Sequence, residues 1–190
     1  MKILLAVSGG IAAYKAPKIV SLLKQEGHEI RVIATENGLR FVSRLTLAAI
    51  SGFPVRADLW EGDGDWGMSH IRTPEWADLI LVAPASANLL GKVAHGIADD
   101  LVSTTLNAVG TGKDQACPVV YVPAMNTRMF RHAATQKNLE TLLSWGCRIF
   151  PPESGILACG DMGEGRMLEP EDILGALQKD GLLSSPNKAL

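Results

Sequence analysis

The sequence has no run of lysine or arginine, and its 18 basic and 20 acidic residues leave a formal net charge of -2. Proteins that bind nucleic acid or an anionic membrane usually carry clustered basic residues, so neither is predicted as a partner. No stretch approaches the roughly 20 consecutive apolar residues that a membrane-spanning helix needs. The expected partners are therefore small molecules and other protein subunits.

Cysteine is also scarce, and the three that occur are widely spaced: Cys117, Cys147 and Cys159. An odd number with no Cys-x-x-Cys pair favours reduced thiols over a disulfide framework or a zinc site. Asp99 and Asp100 are adjacent in the sequence, but no histidine or third carboxylate stands nearby at a metal-ligand spacing, so no metal site is predicted. The apolar start is short and is interrupted at Ser8, which favours a buried strand over a signal peptide and predicts a cytoplasmic protein.

Short apolar runs bounded by turn residues recur at 3–7, 30–34, 79–83, 119–122 and 148–150. Because the runs are continuous rather than alternating, they predict strands covered on both faces, as in a parallel sheet. Helical patterns lie between them, at 12–26, 37–51, 89–107 and 135–145. This alternation predicts one doubly wound, Rossmann-like (flavodoxin-like) α/β domain over residues 1–177, with a flexible tail over 178–190.

Two segments have no clear period, residues 58–69 and residues 151–170. The first contains Trp60, Trp66 and several glycines and is predicted to be a long loop. Loops of that length in compact domains are usually functional or disordered.

Ser8, Gly9 and Gly10 follow the first predicted strand and precede the first helix. Glycines let the backbone approach a ligand, and a helix N-terminus offers N–H groups suited to phosphate. The full G-x-G-x-x-G pattern is missing, and the second strand ends in Thr35 rather than an acidic residue that would hold an adenosine ribose. The pattern favours a mononucleotide such as FMN over NAD; a tight turn without a ligand is the alternative.

Small polar residues also follow the third predicted strand, at residues 84–88. Ser86 could simply cap the next helix. Small polar residues thus follow two of the predicted strands, and Thr35 follows another. Because ligands of open α/β sheets bind at the carboxyl ends of strands, this pattern favours one shared cofactor crevice over residues that only cap separate helices.

Three further side chains could carry chemistry. A histidine side chain ordinarily titrates near neutral pH, so His70 could exchange a proton with a substrate, although a lone histidine is as often structural. Asn126 follows Pro-Ala-Met and can donate two N–H groups to a carboxylate, whereas Met125 and Met129 could simply fill a core gap. Cys159 stands in a glycine-rich segment and could donate a proton or attack; a buried structural thiol is the alternative.

Six segments, taken in order, resemble the homo-oligomeric flavin-containing cysteine decarboxylases. Within that family the resemblance is closest to the enzymes that act on phosphopantothenoylcysteine (PPC) in coenzyme A biosynthesis, and it extends over the chain to about Pro170. The segments are residues 8–15, 70 with 76–78, 84–88, 96–101, 123–129 and 158–166.

The resemblance implies an FMN enzyme that oxidises the cysteinyl thiol, releases carbon dioxide and reduces the resulting enethiol to 4'-phosphopantetheine. It implies that His70 is the catalytic base, that Asn126 binds the departing carboxylate and that Cys159 supplies a proton. The implied FMN contacts are Ser8, Gly9, Gly10, Thr35, Ser86, Ala87, Asn88 and Ala124. The implied substrate contacts are Asn126, Met129, Ala158, Cys159 and Gly160, with residues 158–166 forming a clamp. Family members assemble as trimers or tetramers of trimers.

Two positions depart from the family pattern: Phe130 stands in place of a tryptophan and Leu89 in place of a threonine. Peptidyl-cysteine decarboxylases share positions like His70, Asn126 and Ser86, but the segment 158–166 favours the coenzyme A enzymes. Flavin prenyltransferases share the fold without the combination of His70 and Asn126. A non-catalytic flavoprotein is a further alternative. In many bacteria a phosphopantothenoylcysteine synthetase domain follows the decarboxylase domain in the same chain. The sequence has no room for that second domain, so it is expected to be a monofunctional enzyme or a fragment of a decarboxylase–synthetase fusion.

Overall fold

A parallel five-stranded sheet forms the centre of the protein. The computed structural model describes residues 1–60, 69–156, 160 and 162–183, without the side chains of 69–72 and 156. The strands are β1 (Lys2–Val7), β2 (Glu29–Ala34), β3 (Leu79–Ala85), β4 (Val119–Pro123) and β5 (Arg148–Ile149). They are ordered β2-β1-β3-β4-β5, and all neighbours are parallel. The winding direction reverses between β1 and β3, which opens a crevice at their carboxyl ends. The predicted doubly wound α/β fold is confirmed.

Helices cover both faces of this sheet: α1 (Ala16–Gln25), α2 (Arg44–Ser51), α3 (Ser69–Trp76), α4 (Ala87–Ala94), α5 (Leu101–Ala108), α6 (Thr127–Phe130), α7 (Ala133–Ser144) and α8 (Pro170–Lys179). Successive side chains of a strand point to opposite faces. Accordingly, Ile3 and Leu5 of β1 belong to one buried cluster and Leu4 to the other. α1 packs against α2 and α8, and α4 packs against α5 and α7. Among the helices described here, none is both long and apolar enough to span a bilayer.

Two of the predicted helices are wrong in their extent. The predicted helix 89–107 is interrupted between α4 and α5, because Gly96 has a φ of 68° and Asp100 begins a new helix. The Asp100 carboxylate accepts from Ser103 N while Ser103 Oγ accepts from Asp100 N, a reciprocal capping box. The predicted helix 37–51 is a short 3-10 turn at Gly38–Arg40 followed by α2.

The segments without a clear period contain regular structure. Within 151–170, β6 (Glu153–Ile156) and β7 (Met162–Arg166) form an antiparallel hairpin. Of the predicted loop 58–69, residues 61–68 lie outside the described part of the chain, and Ser69 already belongs to α3. Beyond residue 177, α8 continues to Lys179 and Leu183 is buried. The boundary between domain and tail stays a prediction, since residues 184–190 are not described.

Candidate active site

A cavity of about 840 Å³ opens at the carboxyl ends of β1 and β3. Ligand pockets commonly fall between about 300 and 1,000 Å³ and lie at this switch point of doubly wound sheets. The cavity brings together ten residues predicted to bind cofactor or substrate: Ser8, Gly9, Gly10, Thr35, Ser86, Ala87, Asn88, Ala124, Asn126 and Met129. Their individual roles stay predictions.

Ser8 joins the ends of β1 and β3 beneath this cavity. Its buried hydroxyl donates to the carbonyl of Pro84 at 2.8 Å and accepts from the backbone N–H of Ser86 at 2.8 Å. The Ser8 N–H also donates to Pro84 O at 3.2 Å. Because the hydroxyl is occupied by these two bonds, Ser8 shapes the site by holding the turn at residues 84–86 in place.

The turn after β1 packs closely against the turn after β2. A Cβ atom on Gly9 would lie 2.6 Å from Asn37 Cβ, and one on Gly38 would lie 2.7 Å from Val7 O, so neither position has room for a side chain. Thr35 Oγ1 accepts from the N–H of Gly38 at 3.0 Å, which fixes the second turn. Gly10, by contrast, has no neighbour within 4 Å of such a Cβ and faces open space.

The third wall of the cavity is the start of α4. Ser86 caps this helix, since its Oγ accepts from Leu89 N at 3.3 Å. Ser86 therefore acts as a helix cap, as the alternative interpretation held, and also lines the shared crevice. Asn88 is exposed in the first turn. Leu89, which departs from the family pattern, is 1% exposed and belongs to the buried cluster on this face of the sheet.

Asn126 is held at the beginning of α6, just after β4. Its Oδ1 accepts from Arg128 N at 2.8 Å, so any contact of this amide with a carboxylate must come from Nδ2. Met129 is 49% exposed at the cavity, whereas Phe130, the second departure, packs against the buried cluster. The turn therefore brings the amide of Asn126 and the exposed side chain of Met129 to the cavity, and Met125 also lines it.

β7 docks directly onto this turn. Met125 N donates to Gly165 O at 3.0 Å, and Thr127 Oγ1 donates to Glu164 O at 2.7 Å. Arg131 Nε adds an ion pair with the Glu164 carboxylate at 3.0 Å. The hairpin is thereby tied to the segment that carries Asn126.

Gly165→Ala is expected to lower the free energy of unfolding by about 3 kcal/mol. The new Cβ would lie 2.1 Å from Met125 O, and Gly165 has a φ of 123°, which disfavours any L side chain. Chemical denaturation measures the loss. Gly175→Ala is the matched control, because Gly175 lies within α8 with no neighbour within 4 Å and alanine is the better helix former. Equal stability of the two variants would contradict the tight docking of β7.

Two ion-pair clusters at the cavity were missed by sequence reasoning. Lys92 Nζ lies 2.6 Å from Asp99 Oδ1 and 2.7 Å from Asp100 Oδ2. Asp99 and Asp100 therefore neutralise a lysine, and no group of three metal-ligating side chains occurs among the described residues. Lys15 Nζ lies 3.0 Å from Glu169 Oε1, and the same carboxylate pairs with Arg166. The position of Lys92 four residues after Asn88, on the same helical face, was a usable signal.

For three predicted site residues the side chain lies outside the described part of the structure. His70 lies in the first turn of α3, but its side chain is outside the described part of the structure. Ala158 and Cys159 are also outside it. Gly160 is exposed with a φ of 88°. The roles predicted for these four residues stay predictions.

The other two cysteines are expected to be unreactive at neutral pH. Burial raises the pKa of both Cys117 and Cys147 to about 11, so the nucleophilic thiolate is a minor species there. In the native protein near neutral pH, a thiol reagent should label neither cysteine, and mass spectrometry of the digested peptides measures the labelling. A Cys117→Ser/Cys147→Ser variant should keep its turnover; modification of either thiol at the rate of a free cysteine would contradict the expectation.

Comparisons with known proteins agree with this geometry. Residues 1–180 match the family described as Flavoprotein. The chain is 49% identical over 173 residues to the coenzyme A biosynthesis bifunctional protein CoaBC of Escherichia coli (strain K12), covering 91% of this chain and 41% of that protein. The chain thus spans about two fifths of the length of this curated relative.

Two solved structures share the fold over almost their whole length. A variant PPC decarboxylase complexed with pantothenoylaminoethenethiol superposes with a TM-score of 0.81 at 33% identity, covering 96% of this chain and 98% of that one. The FMN binding protein AtHal3 superposes with a TM-score of 0.78 at 32% identity, with the same coverage. The chain therefore belongs to the flavoprotein family.

Proposed function

We propose that this chain binds FMN and decarboxylates 4'-phosphopantothenoylcysteine to 4'-phosphopantetheine in coenzyme A biosynthesis. The observation that carries the proposal is the single cavity that joins the turn after β1, the start of α4 and the Asn126 turn. The names of the relatives support the substrate, the pathway and the cofactor. Since the chain spans 41% of the curated relative, the activity is proposed for the part present here.

The residues of the cavity fit FMN. Among the described residues, the backbone N–H groups of Gly9, Gly10 and Ile11 have no hydrogen-bond partner, and Gly10 faces open space. Successive unpaired N–H groups in a glycine turn suit a phosphate. Thr35, Ser86 and the other predicted cofactor residues surround this turn and would hold the remainder of the cofactor.

Bound FMN would supply the redox chemistry, accepting electrons from the substrate and returning them after carbon dioxide leaves. Asn126 would donate from Nδ2 to the substrate carboxylate, with its orientation fixed by the bond to Arg128 N. Met129 would cover the reacting atoms with an apolar side chain. His70 would take the substrate proton and Cys159 would supply the final one, as the family resemblance implies.

The assembly is proposed to be a homo-oligomer, a trimer or a tetramer of trimers, and to act in the cytoplasm. Large apolar side chains are exposed around the cavity mouth, including Ile11 at 57% and Tyr14 at 61%. Exposed apolar residues beside a site often mark a protein interface. Cover from a second subunit would remove them from water and enclose the cofactor.

The test is turnover by the purified chain. We expect a yellow protein that, given PPC, yields a product lighter by one carbon dioxide in mass spectrometry, and light scattering of the same sample reports the subunit number. A peptide ending in cysteine is the comparison substrate, and preferential decarboxylation of that peptide would assign the alternative activity. A colourless preparation that FMN cannot reconstitute would overturn the proposal.

A further inference from the structure

Three cationic side chains line the cavity among the described residues: Lys15, Lys92 and Arg166. Lys92 is occupied by the two carboxylates described above. Lys15 is 5% exposed, and its Nζ donates to Met167 O at 2.9 Å in addition to its ion pair with Glu169. Both lysines therefore serve contacts within the fold, which leaves Arg166 as the cation able to meet a ligand.

Arg166 is held in position but not enclosed. It ends β7, its side chain is 42% exposed, and one guanidinium nitrogen, Nη2, donates to Glu169 Oε1. The same carboxylate is anchored by the buried Lys15 at 3.0 Å. A guanidinium has five N–H donors in a planar fork, so the bond to Glu169 orients the group without using all its donors.

Two carboxylates lie near the Arg166 guanidinium. Glu169 pairs with it directly, and Glu153, its cross-strand partner on β6, adds a second attractive charge. Hydrogen bonds from Lys15 and Arg166 hold the pKa of Glu169 below its usual range, so Glu169 stays ionised at neutral pH and keeps the guanidinium oriented at the cavity wall. Arg166 is also the residue after Gly165, whose carbonyl accepts from Met125 N, so its backbone is fixed relative to the Asn126 turn.

The proposed substrate is anionic at both ends. In the proposed function Asn126 would hold the carboxylate end, and the unpaired N–H groups of the glycine turn would hold the phosphate of FMN. The phosphate at the far end of the substrate still needs a partner. Phosphate oxygens match a guanidinium fork better than an ammonium group, because two parallel hydrogen bonds can form.

We propose that Arg166 binds the terminal phosphate of the substrate and makes the site prefer phosphorylated over unphosphorylated pantothenoylcysteine. The inference rests on the proposed function. It assigns to Arg166 a part in substrate selection, since the bond-breaking steps occur at the opposite end of the substrate. Glu169 and Lys15 are positioning residues that hold the guanidinium in the cavity wall.

The test compares two substrates, PPC and pantothenoylcysteine, on the FMN-loaded wild type and on Arg166→Gln. The wild type should prefer PPC in kcat/KM, and this preference should fall about 30-fold in Arg166→Gln, since a hydrogen bond to a charged group contributes about 10- to 150-fold. Arg166→Lys should recover part of it. Arg148→Gln is the matched control, because Arg148 is an exposed arginine paired with Asp180 at 3.0 Å.

The outcomes separate the two proposals. If the wild type decarboxylates both substrates and the preference is the same in Arg166→Gln, the assignment of Arg166 is overturned while the proposed function stands. Loss of FMN from Arg166→Gln, seen by absorbance, would place the guanidinium on the cofactor phosphate and also overturn it. If neither substrate is turned over, the proposed function fails, and calorimetric binding of 4'-phosphopantetheine and pantetheine still decides the role of Arg166: equal affinities for the wild type reject it.

Discussion

Replacing His70 by asparagine is expected to lower carbon dioxide release from PPC by about 1,000-fold or more while FMN stays bound. General acid–base catalysis by a placed side chain contributes about 10²–10⁴ in rate, and an amide cannot take up the proton that an imidazole accepts near neutral pH. Single-turnover assays with mass-spectrometric detection of the product measure the rate, and the absorbance of the bound flavin reports cofactor retention.

His95→Asn is the control for this substitution. His95 lies at the end of α4, where its Nδ1 contacts Gly91 O at 2.9 Å, and its side chain does not line the cavity. It should retain turnover close to that of the wild type. A His70→Asn variant that keeps a rate within about threefold of the wild type would show that another group acts as the base.

Local patterns in the sequence were sufficient to predict the parallel sheet and the grouping of the site residues around one cavity. Each continuous apolar run became a parallel strand, because a strand covered on both faces needs apolar residues at every position. The strand-end rule then placed Gly10, Thr35 and Ser86 around one cavity. These features depend on neighbours in sequence and on one general property of doubly wound sheets.

Features that depend on distant parts of the chain were not predicted. Lys15 Nζ donates to the carbonyl of Met167, 152 residues away, and no local sequence pattern predicts such a bond. The β6–β7 hairpin was missed because its strand β7 is rich in glycine, which has low strand propensity. It is held instead by its pairing and by the Met125 and Thr127 contacts. The break before α5 had a local signal in Asp100, a favoured capping residue that the helical pattern obscured.

Asn126→Asp is expected to lower kcat/KM for PPC by about 1,000-fold without loss of the fold. An aspartate can still accept the hydrogen bond from Arg128 N that begins α6, since Asp and Asn are comparable capping residues. The donor Nδ2, however, becomes a second carboxylate oxygen facing the substrate carboxylate. The substrate then loses a hydrogen bond and gains a like charge, and such a pairing costs several kcal/mol.

Asn126→Ser separates the two parts of this effect. Serine also caps a helix, and it removes the amide donor without adding charge, so its loss in kcat/KM should be about 10- to 100-fold. Circular dichroism and retained flavin absorbance confirm that both variants are folded and loaded. A tenfold or larger gap between the variants, closing as the assay pH falls and the new aspartate becomes protonated, would show that Asn126 faces the substrate carboxylate. Equal losses in the two variants at every pH would place the carboxylate elsewhere in the cavity.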